Sequence, residues 1–249
     1  MVFSKHKYKD IDNDNAIRKI FHYPKRGYIY DRNDSLLVAN QPSYDVMVIP
    51  REVEPLDTIL FCNLLKIDKN AFLKSYKRAQ NYSPRLPSPF LRHLSKEDYA
   101  FLSEKLRKFK GFYIQKRSLR DYQTSIGANV LGYIAEVNNK EIAKDSYYRL
   151  GDLIGKQGVE ISYEKILRGV KGVKYIQKDI YNRDIGAYKQ GAFDTLPIPG
   201  KDIKITIDSE LQAYGELLMQ NKIGGIVAIE PRTGEILSLV SAPSYNPNL

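Results

Sequence analysis

The sequence has little of the chemistry that metal sites and disulfides need. Among its 249 residues there is one cysteine, Cys62, with no tryptophan and only three histidines. A single cysteine excludes a disulfide within the chain and any cysteine-based metal cluster. The histidines, at positions 6, 22 and 93, are scattered through basic surroundings. We therefore predict no metal site and no cofactor.

Long apolar runs are also missing. No stretch approaches the roughly 18 apolar residues that a membrane-spanning helix needs, and no signal-peptide core follows the charged N-terminus. The chain as it stands is therefore expected to be soluble. Its hydrophobic content of 43% is enough for one large domain or two smaller ones, each with its own core.

Positive charge is in excess, with 39 Lys and Arg against 29 Asp and Glu, a formal net charge of +10. These residues are spread along the sequence without a long block of one sign, and such a surface suits nucleic acid or anionic lipid headgroups. With 19 tyrosines, a nucleic-acid-binding module is one alternative, and it predicts a basic stripe interleaved with aromatic residues. Because the charges are scattered and do not form such a stripe, we predict no nucleic-acid partner.

Residue periodicity predicts an α+β fold. A hairpin is expected over residues 28–38, with its turn at Asn33 and Asp34, and Arg26, Asp31 and Arg32 are close enough in sequence for a charge-assisted network. Gly27 would permit close approach of a neighbouring backbone. Three short helices follow between residues 52 and 110, the third capped by Ser95, and then a strand from Phe112.

A proline-rich segment lies between the second and third of these helices. Three prolines in six residues predict an irregular loop. The loop either packs inward or presents an apolar patch to a partner, and its apolar residues are Tyr82, Leu86, Phe90 and Leu91.

The second half of the chain alternates helical and extended patterns. A helix is expected over residues 158–168, with Gly169 as its stop and a surface ion pair between Glu164 and Arg168. A long hairpin is predicted over residues 174–193, and residues 197–200 mark a domain boundary. Beyond it, the order strand, helix, strand, strand is typical of the opening of an α+β domain.

Several short motifs look catalytic, but we predict no catalytic residue here. Serine acyl-enzymes that recognise penicillin combine Ser-x-x-Lys, Ser-x-Asn and Lys-Thr-Gly. Glu160 and Glu164 flank the serine of the pattern S-Y-E-K and would oppose formation of its alkoxide. The look-alikes are Ser162 with Lys165, Ser4 with Lys7, Ser244 with Asn246, and Arg232-Thr233-Gly234.

Longer motifs, taken together and in order, resemble one family, the class B penicillin-binding proteins. They are R-G-Y-I-Y-D-R-N at 26–33, L-V-A-N-Q-P at 37–42, N-V-L-G-Y at 129–133, I-G-K-Q-G-V-E-I-S-Y-E-K-I-L-R-G at 154–169, I-K-I-T-I-D-S-E-L-Q at 203–212, and P-R-T-G-E-I-L-S-L-V-S-A-P-S-Y-N-P-N at 231–248.

The resemblance implies a juxtamembrane lead-in at residues 1–25 and an elongated, non-catalytic pedestal at 26–196. Strands would form the anchor of the pedestal, and a helical head would be inserted at about 51–117. Residues 201–249 would then be the start of a truncated transpeptidase domain. The family's signature implies structural roles for Arg26, Gly27, Asp31, Arg32, Gly158, Glu160, Tyr163, Glu164 and Gly169.

The resemblance also implies a function in peptidoglycan synthesis, of the elongation type more than the division type. The full-length protein would be a D,D-transpeptidase of the bacterial inner membrane with one membrane span and this region in the periplasm. Its nucleophilic serine would lie beyond Asn248, so stem peptides and β-lactams would bind only the full-length protein. The implied partners are an MreC-like scaffold protein and a RodA-like membrane glycosyltransferase, with the apolar residues of the proline-rich loop as the candidate contact.

Overall fold

The computed structural model describes residues 17–124, 126–179 and 184–248. The chain divides into two units, each built from two separate stretches. The smaller unit consists of the part of the chain up to Gly27 together with Lys165–Asp202. The larger unit consists of Tyr28–Glu164 together with Ile203–Leu249. These units do not coincide with the domain boundaries expected at residues 26 and 196. Those domain boundaries remain a prediction.

Strands and short helices alternate along the described residues, as an α+β fold requires. The strands are β1 (Ile17–His22), β2 (Ile29–Tyr30), β3 (Leu36–Val48), β4 (Ser88–Leu94), β5 (Phe112–Tyr122), β6 (Ile134–Glu136), β7 (Leu153–Gly155), β8 (Gly172–Lys178), β9 (Asp184–Ala187), β10 (Ile203–Lys204), β11 (Gly224–Ile229) and β12 (Ile236–Ala242). The helices are α1 (Thr58–Leu65), α2 (Lys69–Tyr82), α3 (Lys96–Lys105), α4 (Ala128–Leu131), α5 (Asn139–Lys144), α6 (Gly158–Ser162), α7 (Glu164–Leu167) and α8 (Ser209–Leu218).

The larger unit is organised around the long strand β3. β3 pairs with β2, β4 and β5, all antiparallel, and β10 joins the far side of β2 in parallel. The pairing of β3 with β5 runs from Val38 opposite Tyr122 to Val48 opposite Phe112. The predicted hairpin of β2 and β3 is confirmed, and Asp34 adopts a φ of 64° in its turn, a left-handed angle that Asp tolerates.

The three predicted head helices are present and enclose an aromatic core. Phe61 is fully buried, and the centroid of its ring lies 4.4 Å from that of Phe112 and 5.6 Å from that of Phe72. Such edge-on and tilted pairs add to the burial of apolar area. The predicted cap of α3 is confirmed, because the Ser95 hydroxyl accepts a hydrogen bond of 3.0 Å from the amide of Asp98.

The prediction of an irregular proline-rich loop is wrong for its second half. Residues 88–94 form β4, which pairs with the end of β3 and has Pro89 opposite Met47. Pro89 has no backbone N–H to donate to a neighbouring strand. It is tolerated because β4 lies at an edge of the sheet, where the outward side of the strand needs no such donor. Phe90 is consequently 3% exposed and lies in the head core.

The helix predicted over residues 158–168 is interrupted at Tyr163. Its backbone angles (φ −108°, ψ 19°) separate α6 from α7. Tyr163 is exposed, while Leu167 is fully buried. Gly169 adopts a φ of 67° just after α7, as its predicted role as a helix stop requires.

The smaller unit contains a three-stranded antiparallel sheet in the order β1-β8-β9. Isolated bridges between Val170 and Ile198 and between Val173 and Thr195 extend it. Tyr175 and Tyr188 form the small core against one face, together with Ile17, Val173 and Phe193. The predicted hairpin is confirmed where β8 pairs with β9, but its second strand ends at Ala187 and Tyr188–Gly191 form a short 3-10 helix. Residues 180–183, between the two strands, lie outside the described residues. The lead-in is extended from Ile17, and its earlier residues are likewise outside them.

The last stretch of the larger unit follows the predicted order of elements. The Asp208 carboxylate caps α8 by accepting from the amides of Glu210 and Leu211. β11 and β12 then form an antiparallel pair. Gln212 on α8 is buried, and its side chain accepts from the Leu239 amide and donates to the Leu239 carbonyl. The side-chain amide of Gln212 therefore bonds to the backbone of β12 and holds α8 against that strand.

Candidate functional site

The short catalytic look-alikes make structural contacts. The Ser162 hydroxyl donates a hydrogen bond of 2.9 Å to the Gly158 carbonyl within its own helix, rather than to a base. Arg232-Thr233-Gly234 forms the turn between β11 and β12, where Gly234 has a φ of 76°. Tyr245 donates to the carbonyl of Ala128. Ser4 and Lys7 lie outside the described residues.

Asp31 is the centre of a buried hydrogen-bond cluster. Its carboxylate accepts from the amides of Asn33 and Ser35, both at 2.7 Å, and from the amide and hydroxyl of Ser209 at 3.3 and 2.6 Å. Burial alone would raise the pKa of Asp31, but the hydrogen bonds from Ser209, Ser35 and Asn33 outweigh it and hold that pKa below its usual value. The carboxylate thus caps the hairpin turn and holds the start of α8.

The charge network predicted among Arg26, Asp31 and Arg32 is wrong for the latter two. Asp31 is occupied by the amide and hydroxyl donors, and Arg32 instead lies 3.6 Å from the carboxylate of Glu235. The backbone between the two residues enters a turn, so their side chains diverge. Their closeness in the sequence was therefore not sufficient to predict an interaction between their side chains.

Three signature glycines lie where no larger residue fits. A Cβ at Gly27 would be 1.9 Å from the carbonyl oxygen of Lys201, and one at Gly158 would be 2.2 Å from that of Val130. At Gly169 it would be 2.4 Å from the carbonyl oxygen of Ile198. The prediction of close backbone approach at Gly27 is confirmed, and the same steric reason extends to the other two.

Glu160 forms a fully buried ion pair with Arg120 of β5. The Arg120 Nε atom lies 2.6 Å from Glu160 Oε1, and both side chains are at most 1% exposed. Arg120 also donates to the side-chain oxygen of Asn40 on β3. A pair this buried needs such extra hydrogen bonds to offset the loss of hydration. It joins α6 to the main sheet.

Glu164 is also buried, so its expected position at the surface is wrong. It accepts a hydrogen bond of 2.8 Å from the Tyr148 hydroxyl and one of 2.9 Å from the amide of Gly155. Nearby in the same unit, Arg117 of β5 pairs with Asp45 of β3 at 2.9 Å and donates to the carbonyl of Gly151. Buried polar contacts therefore position the whole segment 128–164.

Sequence reasoning missed the partners of these carboxylates. Arg117 and Arg120 lie on β5 among the strand's buried positions, and Asp45 lies in the buried part of β3. The available signal was the presence of charged residues inside runs that otherwise read as half-buried strands.

The patch predicted for partner binding is only partly at the surface. Phe90 is buried in the head core, so the prediction is wrong for it as a contact residue, whereas Leu91 is partly buried against that core. Contact with a partner through the rest of the segment stays a prediction. Tyr82 and Leu86 are exposed. A more prominent apolar feature of the head is the first turn of α1, where Ile59 and Leu60 are 73% and 59% exposed.

Apolar side chains are also exposed on the last elements of the larger unit, both on α8 and on the face of the β11–β12 sheet that points away from α8. Tyr214 and Leu217 on α8, and Val227 and Ile229 on β11, are all more than half exposed. Helices and sheets of water-soluble domains normally bury such side chains.

The described part of the chain offers no cluster of three or more His, Cys, Asp or Glu residues that could hold a metal ion. None of its described helices is long and apolar enough to cross a bilayer.

Buried ion pairs and closely packed glycines hold this α+β arrangement of strands and short helices. The chain belongs to the family of the penicillin-binding protein dimerisation domain, whose model matches residues 21–205. The resemblance read from the sequence motifs is thereby confirmed.

Two relatives carry the same name, peptidoglycan D,D-transpeptidase MrdA. The protein from Acinetobacter baumannii is 35% identical over 100% of this chain and 37% of its own length, and that from Escherichia coli is 31% identical over 97% and 39%. A solved complex between penicillin-binding protein PBP2 and MreC from Helicobacter pylori has a similar fold, with a TM-score of 0.74 and 24% identity over 93% of this chain and 44% of the other. The chain spans less than half the length of each relative.

Proposed function

We propose that this chain is the non-catalytic pedestal, with the start of the transpeptidase domain, of a peptidoglycan D,D-transpeptidase of the elongation type. The observation that carries the proposal is the family match over residues 21–205 together with relatives named MrdA that align with nearly the whole chain. The pedestal supports the catalytic domain and presents binding surfaces to other proteins of the cell-wall machinery.

In this proposal the chain itself has no nucleophile. The full-length protein cross-links stem peptides through a serine beyond Asn248 and is acylated there by β-lactams. The exposed apolar side chains of α8 and β11 support the proposal, because Tyr214, Leu217 and Val227 would be covered by the rest of a transpeptidase domain. The full-length protein is placed in the bacterial inner membrane, with this region in the periplasm.

The partner proposed for the pedestal is an MreC-like scaffold protein, and a RodA-like membrane glycosyltransferase is proposed as a second partner. Support for the first comes from the fold shared with a PBP2 that was solved in complex with MreC. Ile59 and Leu60 are the proposed contacts on the head, because they are exposed on a helix whose other apolar residues, such as Phe61 and Leu65, fill the core.

The test measures binding of this chain to the periplasmic part of an MreC-like protein from the same organism. The double variant Ile59→Asp, Leu60→Asp should weaken binding at least about tenfold, as expected for residues at the centre of an interface. Leu217→Asp is the control, because Leu217 is about as exposed as Leu60 and lies on a different helix. Unchanged binding by the double variant would refute this contact surface.

Acylation provides a separate test. A fluorescent penicillin should label the longer product of the parent gene and leave this chain unlabelled. Label on this chain would contradict the absence of a nucleophile. A folded longer product without label would contradict the proposed activity.

A further inference from the structure

Folding concentrates the net positive charge in the smaller unit. Residues 17–27 and 165–202 contain twelve Lys and Arg against four Asp and Glu, which gives +8 of the +10 of the whole chain. The larger unit contains 24 basic and 22 acidic residues. The charge that is diffuse in the sequence is therefore local in the fold, since two separate basic stretches come together.

The sheet of the smaller unit has two different faces. Directly opposite residues of an antiparallel pair share a face, and successive residues alternate between faces. One face carries Tyr175 and Val173 and is covered by the small core. The other face carries the pairs Arg18 opposite Ile176 and Ile20 opposite Lys174.

The neighbouring bridges extend this second face with aliphatic residues. Because Val170 is opposite Ile198 and Val173 is opposite Thr195, the register places Val170, Leu196 and Ile198 on the same side as Lys174. Their exposed fractions are 53%, 87% and 60%. We call this surface the basic sheet face; it consists of Arg18, Ile20, His22, Val170, Lys174, Ile176, Leu196 and Ile198.

The charges of the basic sheet face are nearly all positive. A neighbouring carboxylate, that of Asp184, lies 3.5 Å from Arg18 and 3.9 Å from Lys178. Lys174 is exposed and has no ion pair among the described residues. Exposed aliphatic side chains beside lysine and arginine match a bilayer surface, where the aliphatic groups enter the boundary between headgroups and acyl chains and the cations meet phosphates.

Nucleic acid fits this face less well. Binding of single strands relies on exposed aromatic rings on which bases stack. In the smaller unit Tyr175 and Tyr188 are buried on the opposite side of the sheet, and the exposed residues of the basic sheet face other than His22 and Lys174 are aliphatic.

We propose that the basic sheet face binds the surface of an anionic phospholipid bilayer. Leu196 and Ile198 supply apolar contact, and Lys174 supplies attraction to the headgroup phosphates. The proposal concerns a unit that does not contain Ile59 and Leu60, and it does not depend on scaffold binding by the head.

The test is co-sedimentation of the chain with vesicles. The chain should bind vesicles of phosphatidylcholine mixed with phosphatidylglycerol, should not bind phosphatidylcholine alone, and should be released by added salt. Lys174→Ala should weaken binding about fivefold, the effect of one cation near a charged membrane. The double variant Leu196→Asp, Ile198→Asp should abolish it. Lys74→Ala, an exposed lysine on α2 in the larger unit, is the control and should bind as the parent does.

Thermal unfolding of each variant checks that its fold is intact, as expected for exposed positions. The proposal is overturned if the chain fails to bind the mixed vesicles, or if the double aspartate variant binds them as tightly as the parent. It is also overturned if soluble polyglutamate is bound equally well and the aliphatic residues make no difference, because the site would then recognise negative charge without lipid.

Discussion

The hydroxyl of Ser209 donates a hydrogen bond of 2.6 Å to the carboxylate of Asp31, which lies 178 residues earlier in the chain. The same carboxylate accepts from the amides of the hairpin turn. One buried side chain therefore joins the first hairpin of the larger unit to its last helix.

Replacing this carboxylate should destabilise the larger unit. In Asp31→Asn, the amide nitrogen would face N–H donors that now bind oxygen, and we expect a loss of about 2 kcal/mol in the free energy of unfolding. Urea denaturation measures it. Asp34→Asn, at an exposed position in the same turn, is the control and should change stability by less than about 0.5 kcal/mol. Equal stabilities of the two variants would contradict the role of Asp31.

Asp31 should also make the free energy of unfolding depend on pH in the acidic range. Its pKa is lower in the folded protein than in the unfolded chain, so its contribution is complete above the unfolded pKa of about 3.9 and is lost as the pH falls through the folded value. The free energy of unfolding of the parent should therefore decrease more steeply below about pH 4 than that of Asp31→Asn. Parallel pH profiles would show that the carboxylate does not titrate as proposed.

The buried pair of Arg120 and Glu160 predicts strong coupling. Glu160→Gln leaves the guanidinium without a counter-charge, and we expect it to cost about 3–5 kcal/mol. The double variant Arg120→Met, Glu160→Leu should cost less than the sum of its single changes, because it leaves no buried charge unpaired. A double-mutant cycle by denaturation measures the coupling, and additive effects would contradict it.

Comparing two glycines distinguishes the cost of a steric clash from the cost of a left-handed backbone angle. Gly158 and Gly234 both have positive φ, but only Gly158 lies against a neighbouring backbone. Gly234→Ala should therefore cost about 1 kcal/mol for its left-handed angle alone, and Gly158→Ala clearly more. Thermal unfolding of the two variants compares them, and equal shifts in melting temperature would rule out the steric effect.

Phe90 should matter for stability. Because its ring packs between those of Phe72 and Phe112, Phe90→Ala should lower the free energy of unfolding by about 3–5 kcal/mol. Leu86→Ala, in the exposed part of the same segment, should have little effect. A stable Phe90→Ala variant with specifically reduced scaffold binding would instead restore Phe90 as a contact residue.

The fold class and most element positions could be predicted from local signals. Ser95 caps a helix where the sequence indicated it, and Gly169 ends a helix. These features depend on a few neighbouring residues, so local chemistry is sufficient. The strand β4 was missed because tolerance of its proline depends on its place at an edge of the sheet, which no local pattern reveals.

The candidate sites depend on long-range partners and were harder to predict. Glu160 and Glu164 look like surface residues in an amphipathic pattern, yet Arg120 and Tyr148 bury them. The basic sheet face likewise exists only because β1 pairs with β8, more than 140 residues later in sequence. Charge totals could not locate it.

The parallel pairing of β10 with β2 has a consequence for synthesis on the ribosome. Ile29 and Tyr30 emerge early, but their partners Ile203 and Lys204 emerge only after the whole smaller unit and the first stretch of the larger unit, Tyr28–Glu164, have been translated. Until then the outer edge of β2 and the Asp31 carboxylate lack their final neighbours. We expect the larger unit to complete its folding late, and a nascent chain stopped before residue 203 to be open to proteases at its first hairpin.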